Sequence, residues 1–451
     1  MAKRRARGGL VGDPETFVDS MFANIREAAA KELGRDDISV GDEAERLVVG
    51  LPLPSLSLRY LIQSNVMALG RVIQMYGLEG SAKTALLVEL YRWHMIYGGG
   101  AVHNENENKD SPDMRSAVLQ RNQKWLQRLQ VVPCEVMEDW QDSFTYYGRF
   151  FREKFHADTL ARTTPVCLGV DSLTGTAPKA EAEKTEEEGH SSLAIGRMAR
   201  LISTYMRERV GKLRGYPMTI AATNHLKPGQ DSMGRPVANV PGGKAVPFFA
   251  TYMFEMRRDM NCDIDTEGEG GLRIRIKCTK NSLGPSRKSI TANLVWWYAP
   301  DPADGVLRQW MAWDWHTSTI ECLFDRAKVR KSDFKKITDV VDLRTVSGKK
   351  LWSRTLGIPE SSPATYREAG QALEQREDLL AALYPLLGIA QRKQFIPGKD
   401  YRDQLEDASN EATSARTTLY RDLQTMPQLD PTLLERQAAP VQGDVNDDGA
   451  G

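Results

Sequence analysis

The octapeptide Gly77-Leu78-Glu79-Gly80-Ser81-Ala82-Lys83-Thr84 constrains this chain more than any other feature, because of what flanks it. It follows the apolar stretch Val72-Ile73-Gln74-Met75-Tyr76 and precedes the helix-like run Ala85-Leu86-Leu87-Val88-Glu89-Leu90. A strand that turns sharply into a helix aims several backbone N–H groups and the positive end of the helix at one point, where a polyphosphate fits. In such a loop Lys83 reaches the β/γ-phosphates and the Thr84 hydroxyl holds Mg²⁺. The usual pattern has Gly before the Lys, whereas this chain has Ala82. If that position needs a positive φ, its Cβ costs on the order of 1 kcal/mol, which spares nucleotide binding more than turnover.

A chain of 451 residues, 41% of them hydrophobic, can bury one large core and a smaller one. The 60 basic and 60 acidic residues cancel, so bulk charge gives no argument for nucleic-acid binding and only local patches do. Five scattered cysteines carry no zinc-like or disulfide-like spacing, which points to a reducing interior. The basic start Met1-Ala2-Lys3-Arg4-Arg5 leads into no apolar run, and no stretch approaches the roughly 18 residues of a membrane span. The expectation is a chain neither exported nor anchored, with no membrane partner.

From about Ser55 to Pro300 short β-like runs alternate with helical ones. The pattern predicts an α/β fold with a mostly parallel sheet flanked by helices, its clearest strands at 72–76, 166–170, 218–223, 251–256 and 272–278. Residues 1–54 form an N-terminal arm; Asp13-Pro14-Glu15 starts a helix there. Phe17, Met21, Phe22, Ile25 and Ala28 follow at helical spacing. That helix either folds back on its own core or docks on a neighbouring subunit. The charged stretch 180–192 and the Gly/Pro-rich stretch 227–247 read as long mobile loops, which compact domains keep for a use. After residue 300 the character changes to a Trp-rich patch and helical segments, predicting a separate C-terminal domain over 301–440. The tail 441–451 is acidic and apolar-poor, the composition of disorder.

A second buried strand, Pro165-Val166-Cys167-Leu168-Gly169-Val170, ends in Asp171-Ser172. An acid there can hold a Mg²⁺-bound water beneath the phosphates. Together with Ser55 to Leu58, Leu69 to Ile73, Asp171 to Thr174, Pro178 to Glu181, Gly242 to Ala245 and Lys277 to Asn281, these motifs make the chain resemble RecA-family recombinases over about residues 50–300. It looks closer to phage-type members such as UvsX than to the bacterial housekeeping protein.

The resemblance implies a RecA-like ATPase core with ATP and Mg²⁺ as cofactors, bound by Gly77 to Thr84 and Asp171. Glu107 then matches the glutamate that activates the attacking water, a role chemistry requires of a carboxylate, with Glu105 as competitor. His225 stands where bacterial members have a γ-phosphate-sensing Gln. Lys280 is similar to a lysine that reaches a neighbour's nucleotide, and Ser282 replaces that family's second lysine. DNA contacts fall to the loops at about 180–192 and 226–247, the second carrying Lys227, Arg235, Gly242, Gly243 and Lys244 on a flexible backbone. Arg197, Arg200, Arg207 and Arg209 either assist or form a solvated helix face. Trp296, Trp297 and Trp310 to Trp315 either stack on bases or pack the core.

The implied function is DNA-dependent ATP hydrolysis by a helical homo-oligomeric filament on single-stranded DNA that pairs it with double-stranded DNA in recombination and repair. Loading and single-strand-binding proteins are implied partners, and a bacterial or phage-infected host cytoplasm the implied setting. A RecA-core helicase or motor, and a nucleotide-binding annealing filament without efficient turnover, are the alternatives.

Overall fold

The computed structural model describes residues 48–107, 112–188, 194–213, 215–230, 236–259, 264–266, 269–329, 331–405 and 407–408. The expected N-terminal helix, Arg235 and the acidic tail lie outside them.

Apolar runs that are buried on both faces become parallel strands, because helices must then cover each face. Five such runs do so. In chain order the strands are β1 (Val49–Pro52), β2 (Val66–Ala68), β3 (Val72–Gly77), β4 (Gly100–Glu105), β5 (Leu129–Pro133), β6 (Val166–Asp171), β7 (Met218–His225), β8 (Lys227–Gln230), β9 (Pro236–Asn239), β10 (Tyr252–Arg258), β11 (Ile264–Thr266), β12 (Glu269–Asn281), β13 (Ser289–Pro300) and β14 (Leu307–Asp314). The main sheet has ten strands in the order β14-β13-β12-β10-β3-β7-β6-β4-β5, with β11 paired to β12. From β10 to β5 every neighbour is parallel. Strands β12, β13 and β14 extend it as antiparallel hairpins.

The phosphate-loop strand β3 lies inside this sheet with Ile73 and Met75 facing one buried cluster and Val72 the other. Helix Lys83–Ile96 is buried on nearly all sides: Leu86, Leu87, Val88, Leu90, Tyr91 and Trp93 are all within the core. Its sequence shows no clean polar stripe, as expected of a helix wedged between layers. Helix Met137–Ala157 covers the other face through Met137, Trp140 and Phe144. Asp139 caps its start by accepting from the Glu135 and Val136 N–H groups at 2.8 and 2.9 Å.

Two expectations change. The stretch read as a mobile loop is helical over Lys179–Glu188, because alternating Ala, Glu and Lys are strong helix formers whatever their charge. Part of the second stretch is a hairpin, β8 paired antiparallel to β9, followed by the short helix Ala245–Phe249. The division expected at residue 300 falls inside the β13–β14 hairpin, and the described residues up to Ala408 form one compact unit. Trp313 and Trp315 stack at 5.1 Å beneath the sheet and are 6% and 5% exposed, so they pack the core rather than offer faces to bases. Trp315 Nε1 donates to the buried Glu89 at 3.3 Å. Strand β18 (Lys393–Gln394) returns to pair with β1, while β15 (Arg344–Val346), β16 (Lys350–Trp352) and β17 (Ala364–Thr365) form a small separate sheet. Among the described residues no helix is long and apolar enough to cross a membrane.

Candidate nucleotide site

The site is built at the C-terminal ends of parallel strands, where helix N-termini and loops converge. Gly77 closes β3 and is paired with both His225 of β7 and Met256 of β10. A Cβ there would meet the Met256 carbonyl oxygen at 2.2 Å, so only glycine lets the chain turn out of the sheet at this point. Gly80 has φ 72° and Ala82 has φ 60°, and Ala82 is the residue before helix Lys83–Ile96. The left-handed turn is therefore made despite the Ala82 methyl group.

Lys83 is 6% exposed, and its Nζ donates to the Leu78 carbonyl at 2.9 Å. Burial pulls its pKa down, against the opposing pull of Asp171, Glu107 and Glu79. Thr84 Oγ1 donates to Asp171 Oδ2 at 2.5 Å, and Thr223 Oγ1 donates to Asp171 Oδ1. Burial raises the Asp171 pKa, and those two hydroxyls work against the rise. A buried ammonium, a hydroxyl and a carboxylate thus meet at the mouth of a left-handed turn, with open space beside Gly80. This donor set matches a polyphosphate held with Mg²⁺: Lys83 and the loop N–H groups for the anion, Thr84 and Asp171 for the metal side.

Glu107 follows β4 and faces the same region. Its Oε1 accepts from Ser172 Oγ at 2.5 Å and lies 2.5 Å from His225 Nε2. Asn106 Nδ2 donates to the Ser172 carbonyl at 2.7 Å. Glu105 is turned differently: its Oε2 lies 3.5 Å from His103 Nε2 and 3.8 Å from Arg115 Nη1.

Asn224, next to His225, donates from Nδ2 to the Pro241 carbonyl at 2.8 Å and accepts from Thr174 Oγ1 at 2.9 Å. The end of β7 is thereby tied to the return arm of the 226–247 segment, in which Gly242 and Gly243 have φ 95° and 75° and Lys244 is exposed. The backbone of Lys227 lies in β8. Lys280 is apart from this constellation. Its Nζ donates to the Pro247 and Phe248 carbonyls at 2.6 and 2.9 Å, and burial lowers its pKa.

Comparison with known proteins finds partial matches. A model of the RecA N-terminal domain matches residues 156–299. The protein RecA of Nocardioides sp. is 27% identical over 291 residues, covering 63% of this chain and 75% of its own. That of Mycolicibacterium vanbaalenii is 26% identical over 268 residues, covering 59% and 70%. The core is RecA-like. These relatives are bacterial RecA proteins, similar to this chain over part of its length.

Within the RecA-like core three contributors were not assigned from sequence. Ser172 holds Glu107, Thr223 holds Asp171, and Asn106 pins the turn between them. Ser172 had a signal, since it follows the strand-ending acid. Thr223 had none, because its meeting with Asp171 depends on the β6–β7 register.

Proposed function

We propose that this protein is an ATP-dependent DNA recombinase that assembles as a filament on single-stranded DNA and promotes homologous pairing and strand exchange. The observation that carries the reading is the continuity of β7 with the 226–247 segment. His225 faces Glu107 on one side, and the residues just after it enter the segment expected to contact DNA.

ATP with Mg²⁺ supplies the phosphoryl group and its charge neutralisation when bound. This chain's residues do the rest. Lys83 exchanges the Leu78 carbonyl for phosphate oxygens, and Thr84 and Asp171 face the metal. Glu107 orients a water and takes its proton, while Ser172 and His225 hold the carboxylate. His225 passes the state of this pair along β7 to Asn224 and Pro241. Exposed Lys244, beside the Gly242–Gly243 turn, contacts the DNA backbone. Lys280, which anchors the helix following that segment, reaches a neighbouring subunit's nucleotide in the filament. The kinship to phage-type members rests on sequence motifs alone.

The test is ATP hydrolysis with and without single-stranded DNA, with Lys83→Ala and Glu107→Gln as controls, and negative-stain microscopy of the same samples. DNA-stimulated turnover with filaments, lost in both variants, supports the reading. Filaments that bind nucleotide without turnover make it an annealing protein, and closed rings make it a motor.

A further inference from the structure

Glu107 cannot act as a base unless the short turn after β4 holds it still, and one side chain next to it is arranged to do that. The Glu107 N–H donates to Glu105 Oε1 at 2.9 Å. The other carboxylate oxygen of Glu105 lies against two cationic or potentially cationic groups, His103 at 3.5 Å and Arg115 at 3.8 Å. The His103 side chain is fully buried, and those of Glu105 and Arg115 are 11% and 10% exposed. On the far side of the imidazole, His103 Nδ1 lies 2.9 Å from the Tyr91 hydroxyl. Tyr91 belongs to the helix that begins at Lys83. It reaches His103 across β6 only because Gly169 lies beneath it: a Cβ at 169 would stand 1.7 Å from the Tyr91 oxygen.

We propose that Glu105 is a positioning residue, whose carboxylate fixes the turn carrying Glu107 and is itself held by His103 and Arg115, with Tyr91 tying the row to the phosphate-loop helix. The inference rests on the reading of Glu107 as the base. Side-chain identity at 105 matters through one acceptor atom in a partly dry setting, where a displacement of about 1 Å in a reacting group can cost on the order of 100-fold. The contacts that define this arrangement run from Glu105 to Glu107, His103 and Arg115, and His103 also lies within electrostatic range of Asp171. Because the Glu105 carboxylate acts on the turn that carries Glu107, its substitutions are expected to change turnover more than nucleotide affinity.

The experiment compares kcat for ATP with the Kd for ATP, obtained by equilibrium binding, in Glu105→Gln, Glu105→Asp and Glu105→Ala, beside Glu107→Gln. Gln keeps an acceptor in place and retains kcat within about 3-fold. Asp keeps the charge for Arg115 but withdraws the acceptor, and lowers kcat about 10-fold or more with Kd within about 3-fold. Ala behaves as Asp or worse. Equal kcat in Asp, Gln and wild type overturns the proposal, as does a parallel loss of kcat, ATP affinity and thermal stability in Asp, which marks a purely structural role. Glu107→Gln with wild-type turnover removes the base reading and the inference with it. Loss in Glu107→Gln with none in Glu105→Asp or Glu105→Ala removes the inference alone.

Discussion

His225 Nε2 and Glu107 Oε1 lie 2.5 Å apart although their strands are not neighbours. Strand β6 runs between β7 and β4, and it contributes to the same contact through Ser172, which donates to the same carboxylate oxygen. Three strand ends thus converge on one oxygen atom.

The Glu107→Gln substitution should lower kcat by about 100-fold or more while leaving ATP affinity largely intact, the signature of a lost general base. His225→Ala should lower kcat less, because Ser172 still holds Glu107, and should also weaken stimulation by DNA. Steady-state hydrolysis with and without single-stranded DNA checks both. Equal DNA stimulation in His225→Ala and wild type would detach His225 from the coupling.

Ala82 adopts φ 60°, a conformation that costs an L-residue roughly 1–2 kcal/mol, whereas Gly in the unfolded chain recovers roughly 0.4–1 kcal/mol of entropy. Ala82→Gly should therefore stabilise the nucleotide-free protein by about 0.5–1 kcal/mol. Urea unfolding measures this, and a destabilised variant would contradict the strain assigned to Ala82.

His94 is fully buried between Leu90 and Thr219, and burial lowers its pKa from 6.5 to about 4. A depressed histidine pKa means that the unfolded chain takes up the proton first. Stability from this group is complete above pH 6.5 and is lost as pH falls from 6.5 towards 4, a total of about 3 kcal/mol. Denaturation midpoints of wild type and His94→Asn should draw together as pH falls through that window, the variant showing the shallower acid slope.

Exposed Lys244 stands beside the Gly242–Gly243 turn. If it contacts one phosphate of single-stranded DNA, Lys244→Ala should reduce the slope of log affinity against log salt by about 0.7. Fluorescence anisotropy over a range of salt concentrations decides it, and an unchanged slope would place the DNA path elsewhere.

Much of this architecture is legible in sequence where a single segment carries its own evidence. The turn Gly77 to Thr84, β3, β6 with its terminal Asp171 and the apolar β7 all follow from local composition and punctuation. The unread parts depend on distant pairings. Glu105 and Glu107 look alike in Asn104-Glu105-Asn106-Glu107-Asn108, and only the fold turns one towards His225 and the other towards His103 and Arg115. The 179–188 helix was hidden by its charge, which suggested a solvated loop where helix propensity prevailed. The β14 strand was hidden by the Trp-rich change in composition, although its alternating residues pair with β13 in register.

The order of the central strands has a mechanical consequence. Strands β7 and β10, which enter and leave the 226–250 segment, flank β3 on either side, and Gly77 is paired with His225 and Met256 at the same level. The phosphate loop is thus clamped between the two roots of that segment. Any displacement of either root of that segment acts directly on an edge of β3.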